Sequence, residues 1–208
     1  AIAPSVAPGN GYLGIMIAYT PLHQNILDAA GVPLVMTSAN VSGDPLIIDD
    51  IKVKNELAGI VDVFLTHNRT ILKRADDSIS WIYRGSEINV RMGRGRMPFP
   101  VKLPVAGKNI LAVGAELKSN ISIVSGDRLV TSNHIGDLGT PETFTHFTET
   151  VNEMLEYYDV HPEVVVADLH PDYESSSFAK EYSEKHGIPL AGVQHHYAHF
   201  LSCMFESG

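Results

Sequence analysis

The sequence predicts an α/β protein built as two successive bodies, and three observations carry that prediction. Apolar runs of strand length, bounded by Gly, Pro, Asn and Asp, alternate with longer stretches whose apolar residues recur at helical spacing. Charge breaks sharply: residues 1–103 carry ten Lys/Arg against nine Asp/Glu, whereas residues 104–208 carry five against fifteen. Pro98, Pro100 and Pro104, followed by Gly107, mark the connection between the bodies. With 208 residues in all, each body is large enough for its own core.

Composition narrows the function classes. Hydrophobic residues at 44% and charged residues at 19% describe a globular chain rather than a disordered one. No apolar run approaches the ~20 residues of a membrane span and no secretory signal opens the chain, so no membrane association is expected. Cys203 is the single cysteine, which leaves no internal disulfide framework and fits a cytoplasmic protein. The acidic second body makes a poor nucleic-acid surface, because phosphate contacts need Lys and Arg. Ala1 opens inside a Pro/Gly-containing connection, so the chain reads as a segment of something larger.

In the first body, Leu13–Tyr19 reads as a strand, Leu22–Ala30 as a helix stopped by Gly31, and Leu34–Thr37 as a buried strand. Asp49 or Asp50 caps a helix running to about Ala58. Val63–Leu65, Ser78–Tyr83 and Ile88–Met92 are expected to complete a mixed sheet. In the second body, Ile110–Ala115, Ile121–Val124 and Leu129–His134 form a meander across short turns. Thr140 caps a helix with Pro141 in its first turn, whose apolar face is Phe144, Phe147, Val151, Met154/Leu155 and Tyr158. Val164–Ala167 is a strand, Tyr173–His186 a helix closed by Gly187, and Leu190–Val193 a strand leading into a last, histidine-bearing helix. The order β-β-β-α-β-α-β is that of a ribonuclease-H-like half-domain, the building block of actin-like, sugar-kinase and Hsp70-type ATPases.

Four stretches suggest chemistry. His195 and His199 stand four apart, which on a helix puts both imidazoles on one face, in reach of one divalent ion such as Zn2+ or Fe2+. The same spacing also arises as plain surface polarity. His196 points about 100° away and has a different job. Thr37-Ser38-Ala39-Asn40-Val41-Ser42-Gly43 follows a buried strand; its hydroxyls, amide and backbone suit phosphate and ribose, with Ser38, Asn40 and Ser42 as the candidates, or it is a polar turn with a cap. In Arg74-Ala75-Asp76-Asp77-Ser78, Arg74 can clamp a phosphate while the carboxylates orient it or hold Mg2+; the alternative is a charged loop with a surface ion pair. Lys118 and Asn120, in the first turn of the meander, are phosphate contacts or ordinary turn polarity.

Taken together and in order, seven motifs resemble the HypF family, the nickel-iron hydrogenase maturation carbamoyltransferases. They are Thr37 to Leu46, His67-Asn68-Arg69-Thr70-Ile71, Arg74 to Ser78, Gly114 to Asn120, His134-Ile135-Gly136-Asp137-Leu138, Asp168-Leu169-His170-Pro171-Asp172-Tyr173 and Val193 to His199. The resemblance implies that residues 1–103 are the later part of a YrdC-like domain, which forms carbamoyl-AMP from ATP and carbamoyl phosphate. It implies that residues 104–208 are the first half of an actin-like transferase domain, which passes the carbamoyl group to the C-terminal cysteine of a HypE-like acceptor. Arg74 is then the catalytic cation, with Ser38, Asn40, Ser42, Lys118 and Asn120 as nucleotide contacts. His195 and His199 hold the metal, completed by a ligand outside these residues, and Cys203 is a helix-core thiol. Family members usually read Ser-Arg-Gly-Tyr where this chain has Gly93-Arg94-Gly95-Arg96. The rival readings are tRNA threonylcarbamoyladenosine synthesis, antibiotic O-carbamoylation, and a non-catalytic interaction fragment.

Overall fold

A computed structural model describes residues 2–207. By compactness the chain divides into residues 1–38 and residues 39–208. The first unit contains one α-helix, α1 (Pro21–Ala30). Thr20 caps it, accepting from the His23 N–H at 3.2 Å, and the chain leaves it at Gly31. The strands expected at Leu13–Tyr19 and Leu34–Thr37 do not form. A strand exists through its ladder of hydrogen bonds, and neither run lies in one; Ile15 and Ile17 are 85% and 86% exposed.

In the second unit, α2 (Asp50–Leu57) starts where the sequence places it, since the Asp49 carboxylate accepts from Ile51 N and Lys52 N at 2.9 and 2.7 Å. β1 (Ile79–Tyr83) and β2 (Ser86–Arg91) form an antiparallel hairpin with Trp81 opposite Ile88. Val63–Leu65 is not a strand, so the mixed sheet expected of the first body reduces, among the described residues, to this hairpin.

A six-stranded sheet follows, in the order β3-β6-β5-β4-β7-β8. Its strands are β3 (Pro100–Lys102), β4 (Ile110–Ala112), β5 (Ser122–Ser125), β6 (Arg128–Thr131), β7 (Val164–Asp168) and β8 (Leu190–Val193). β4, β5 and β6 are the expected meander, and β4-β7 and β7-β8 pair in parallel. β3 was not expected. The proline-rich connection does not hang free but adds an edge strand to β6, with proline at its first residue, where the missing N–H is tolerated.

The core belongs to this sheet and to α3 (Pro141–Tyr157) and α4 (Glu174–His186). Thr140 caps α3 by accepting from Thr143 N at 3.2 Å. Thr143, Phe147, Val151 and Met154 recur at four, four and three residues and are buried, Phe147 completely. Phe147, Val151 and Met154 meet Leu111, Ile123 and Val165 from the sheet and Ala179 from α4. The last element, α5 (His195–Ser207), leaves directly from β8. No helix of the described residues is long and apolar enough to cross a membrane.

Candidate functional site

α5 begins where two parallel strands end, and that junction positions the histidines. Gln194 stops β8 and caps α5, its side-chain oxygen accepting from Tyr197 N at 2.9 Å. One residue on, His195 faces Asp168, the last residue of the neighbouring β7, because Asp168 pairs with Val193 across the sheet. The Asp168 side chain is 7% exposed. Its Oδ2 lies 2.6 Å from His195 Nδ1 and its Oδ1 accepts from His170 N at 2.9 Å. A carboxylate only accepts, so Nδ1 carries the proton and the neutral ring keeps its lone pair on Nε2. Burial pushes the Asp168 carboxyl up, but the hydrogen bonds from His195 and His170 outweigh it and hold the group below the usual carboxylate range.

His195 Nε2 faces His199 Nε2 at 3.1 Å. Two ligands at metal–nitrogen bonds of about 2.0–2.1 Å and angles between square and tetrahedral stand roughly 2.9–3.4 Å apart, so the pair fits one ion. Among the described residues no group of three or more His, Cys, Asp or Glu is arranged to hold a metal. His196 turns away, its Nδ1 lying 2.8 Å from Gln194 Nε2. Tyr173 stacks on His170 at 4.1 Å and meets the edge of His195 at 6.5 Å, walling the histidine from behind. Cys203 is exposed rather than in a helix core.

Lys118 and Asn120 share the turn between β4 and β5, both exposed. Gly114 opens that turn at φ +73°, and a Cβ there would sit 2.6 Å from Asn120 O. The turn from β6 clamps it: Lys118 N donates to Asp137 Oδ1 at 2.7 Å, Ser119 N to Gly136 O and Ile135 N to Ser119 O, both at 2.8 Å. Ser119 is buried between them with no partner for its hydroxyl oxygen. Half-buried His134 is held below its ordinary value, by burial first; Asp76, Arg91, Asp137 and Lys118 all act on it, so the two motifs share one electrostatic neighbourhood.

Asn40 and Ser42 belong to a closed loop in which Ile47 N donates to Ala39 O at 3.0 Å and Asp44 N to Val41 O at 3.0 Å. The Asn40 amide donates to Val41 O and Asp44 O, both at 2.9 Å, and Ser42 is exposed. Arg74 reaches the same loop, its Nε donating to Leu46 O at 2.8 Å. Ser38 is exposed at the end of the first unit. One expectation is corrected here: the adjacent carboxylates do not orient Arg74. The Asp77 carboxylate pairs with Arg94 at 2.6 Å, the Arg74 guanidinium goes to Leu46 O and Glu149 instead, and the Asp76 backbone carbonyl accepts from Arg94 N at 2.8 Å. Gly93 permits that crossing, since a Cβ there would lie 2.3 Å from Asp76 O. Sequence reasoning also passed over Asp168 as a functional residue. It stood inside a quoted motif, but only its pairing opposite Val193 reveals that it faces His195.

Fold and site define a ribonuclease-H-like half-domain that ends its sheet on a carboxylate-backed histidine pair. A family model described as HypF Kae1-like domain matches residues 105–206, and one described as Telomere recombination, of the Sua5/YciO/YrdC type, matches residues 1–93. Carbamoyltransferase HypF of Synechocystis is 39% identical over 208 residues, all of this chain and 27% of that protein. The chain belongs to the HypF family. The probable carbamoyltransferase HypF of Methanocaldococcus jannaschii is 39% identical over 197 residues, 94% of this chain and 26% of that protein. The crystal structure of T. kodakarensis HypF matches with a TM-score of 0.89 at 34% identity, over 96% of this chain and 26% of that one. A full-length HypF in its phosphate- and nucleotide-bound form matches with a TM-score of 0.86 at 38% identity, over 92% and 30%. The chain thus spans about a quarter of the length of these relatives.

Proposed function

We propose that this chain supplies parts of two sites of an ATP-dependent carbamoyltransferase of hydrogenase maturation. Residues 1–103 are the later part of a YrdC-like carbamoyl-adenylate-forming domain, and residues 104–208 the first half of the actin-like transferase domain. In the first step water takes the phosphoryl group of carbamoyl phosphate, releasing inorganic phosphate, and an oxygen of the carbamate left behind bonds to the α-phosphorus of ATP as pyrophosphate leaves. Arg74 neutralises the charge that develops there, while Ser38, Asn40 and Ser42 hold the nucleotide, with Mg2+ on its phosphates. In the second step the C-terminal cysteine thiolate of a HypE-like acceptor bonds to the carbamoyl carbon as AMP leaves. Lys118 and Asn120 contact the phosphate. A Zn2+ or Fe2+ ion on His195 and His199, when bound, supplies Lewis-acid stabilisation of the leaving phosphate. No nucleic acid and no membrane takes part, and the reaction is cytoplasmic.

The observation that carries this reading is the His195–His199 pair, with Asp168 fixing the tautomer of the first ring, in a chain 39% identical to a named carbamoyltransferase. The test is carbamoyl transfer to the acceptor thiol by a full-length HypF-family enzyme carrying this segment. His195→Ala and His199→Ala should each lose transfer by about a hundredfold or more, as expected when a metal ligand is removed, and His196→Ala should lose far less. Transfer at the parent rate in both of the first two variants would overturn the reading.

A further inference from the structure

α3 carries two stripes. Phe147, Val151 and Met154 face its own sheet, with Thr143 between the two stripes. The other stripe, Glu142, His146, Glu149 and Glu153, advances by four, three and four residues and so runs along one side of the helix. That side meets the Asn40 loop and the Lys73–Arg74 pair. Lys73 Nζ lies 2.9 Å from Glu153 Oε2, Arg74 Nη1 lies 3.5 Å from Glu149 Oε2, and Thr143 Oγ1 donates to Gly43 O at 3.4 Å. Between them lies a cleft of about 440 Å³, lined by Leu46, Lys52, Arg74, His146 and Glu149 among others. A helix of the transferase half thereby grips residues of the adenylate half.

The guanidinium is a rigid planar fork, so fixing two of its corners fixes the third. In Arg74 one corner is fixed by Leu46 O, in the Asn40 loop, and the second by Glu149, on α3. We propose that Glu149 is a positioning residue for adenylate formation: it aims Arg74 from the transferase half, with the Lys73–Glu153 pair holding the same seam, so that α3 couples the two sites. This rests on Arg74 acting in adenylation. Glu149 touches no substrate in this scheme. Its side chain is 55% exposed and its pair with Arg74 is long, which is too weak to hold the fold. Its loss should therefore read in rate, not in stability.

The test is carbamoyl-phosphate-dependent ATP–pyrophosphate exchange by a full-length HypF-family enzyme carrying this segment. Glu149→Gln should lower kcat about tenfold through a misaimed cation, with the KM for ATP and the melting temperature close to the parent's. Transfer from preformed carbamoyl-AMP should stay at the parent rate. Lys73→Glu should lower exchange, and adding Glu153→Lys should restore it by re-forming the pair with charges exchanged. Parent-like exchange in Glu149→Gln beside an inactive Arg74→Ala would overturn the positioning role and leave the adenylation reading standing. Parent-like exchange in Arg74→Ala would overturn both.

Discussion

A carboxylate behind a histidine sets which ring nitrogen keeps its lone pair and which way the ring faces. Asp168 does both for His195, from a strand end where its own backbone is paired to Val193 and its Oδ1 is held by His170 N. Asp168→Asn keeps the shape but presents an amide that can turn its NH2 toward Nδ1. Metal affinity should fall about 10–100-fold, measured by competition with a chelator; unchanged affinity would remove Asp168 from the account. His146 makes a second residue-scale prediction. Burial, then the Arg74 guanidinium, lower its pKa to about 4, against a smaller opposing pull from Glu153. The unfolded chain therefore takes up this proton first as pH falls. Stability is complete above the ordinary value of 6.5 and is lost between there and about 4, by roughly 3 kcal/mol for a shift of this size. Urea unfolding across that window should show the loss, and His146→Gln should flatten it. The histidine pair was legible in the sequence because four residues on one helix settle a shared face. Arg74's partners were not, because Leu46 and Glu149 lie 28 and 75 residues away and only tertiary structure brings them near.

Elements followed the sequence wherever burial enforced a period. The apolar spacing of α3, its Thr140 cap and the cap of α2 at Asp49 all appear as expected, because each depends on neighbours within a few residues or on one dense core. The apolar runs before Pro98 carry the same β-propensity as the later strands, yet among the described residues there only β1 and β2 pair as strands. Propensity without a ladder makes no strand. β3 is the reverse case: a proline-rich stretch reads as a connection, but the free edge of β6 recruits it. Phe147 is the most informative probe at this scale. It is fully buried, stacking with Phe144 at 5.9 Å and edge-on to Phe178 at 5.1 Å. Phe147→Ala should destabilise the sheet body by about 3–5 kcal/mol. A loss under ~1 kcal/mol in denaturant unfolding would mean that α3 does not seal this core.

At the scale of the whole molecule, charge and core fall on the same side of one divide. The acid excess lies in residues 104–208, and nearly every buried apolar side chain lies there too, whereas in the first hundred residues Leu57 is the only one among the described residues. One well-packed sheet body thus presents Asp168 and the start of α5 together at its strand ends. We propose that His195 and His199, and not His196, hold a metal ion. Metal analysis of a purified full-length HypF-family enzyme carrying this segment tests it most directly. His195→Ala and His199→Ala should each come out depleted of metal, while His196→Ala keeps the parent's content. Equal metal in the parent and the first two variants, or loss confined to His196→Ala, would contradict it.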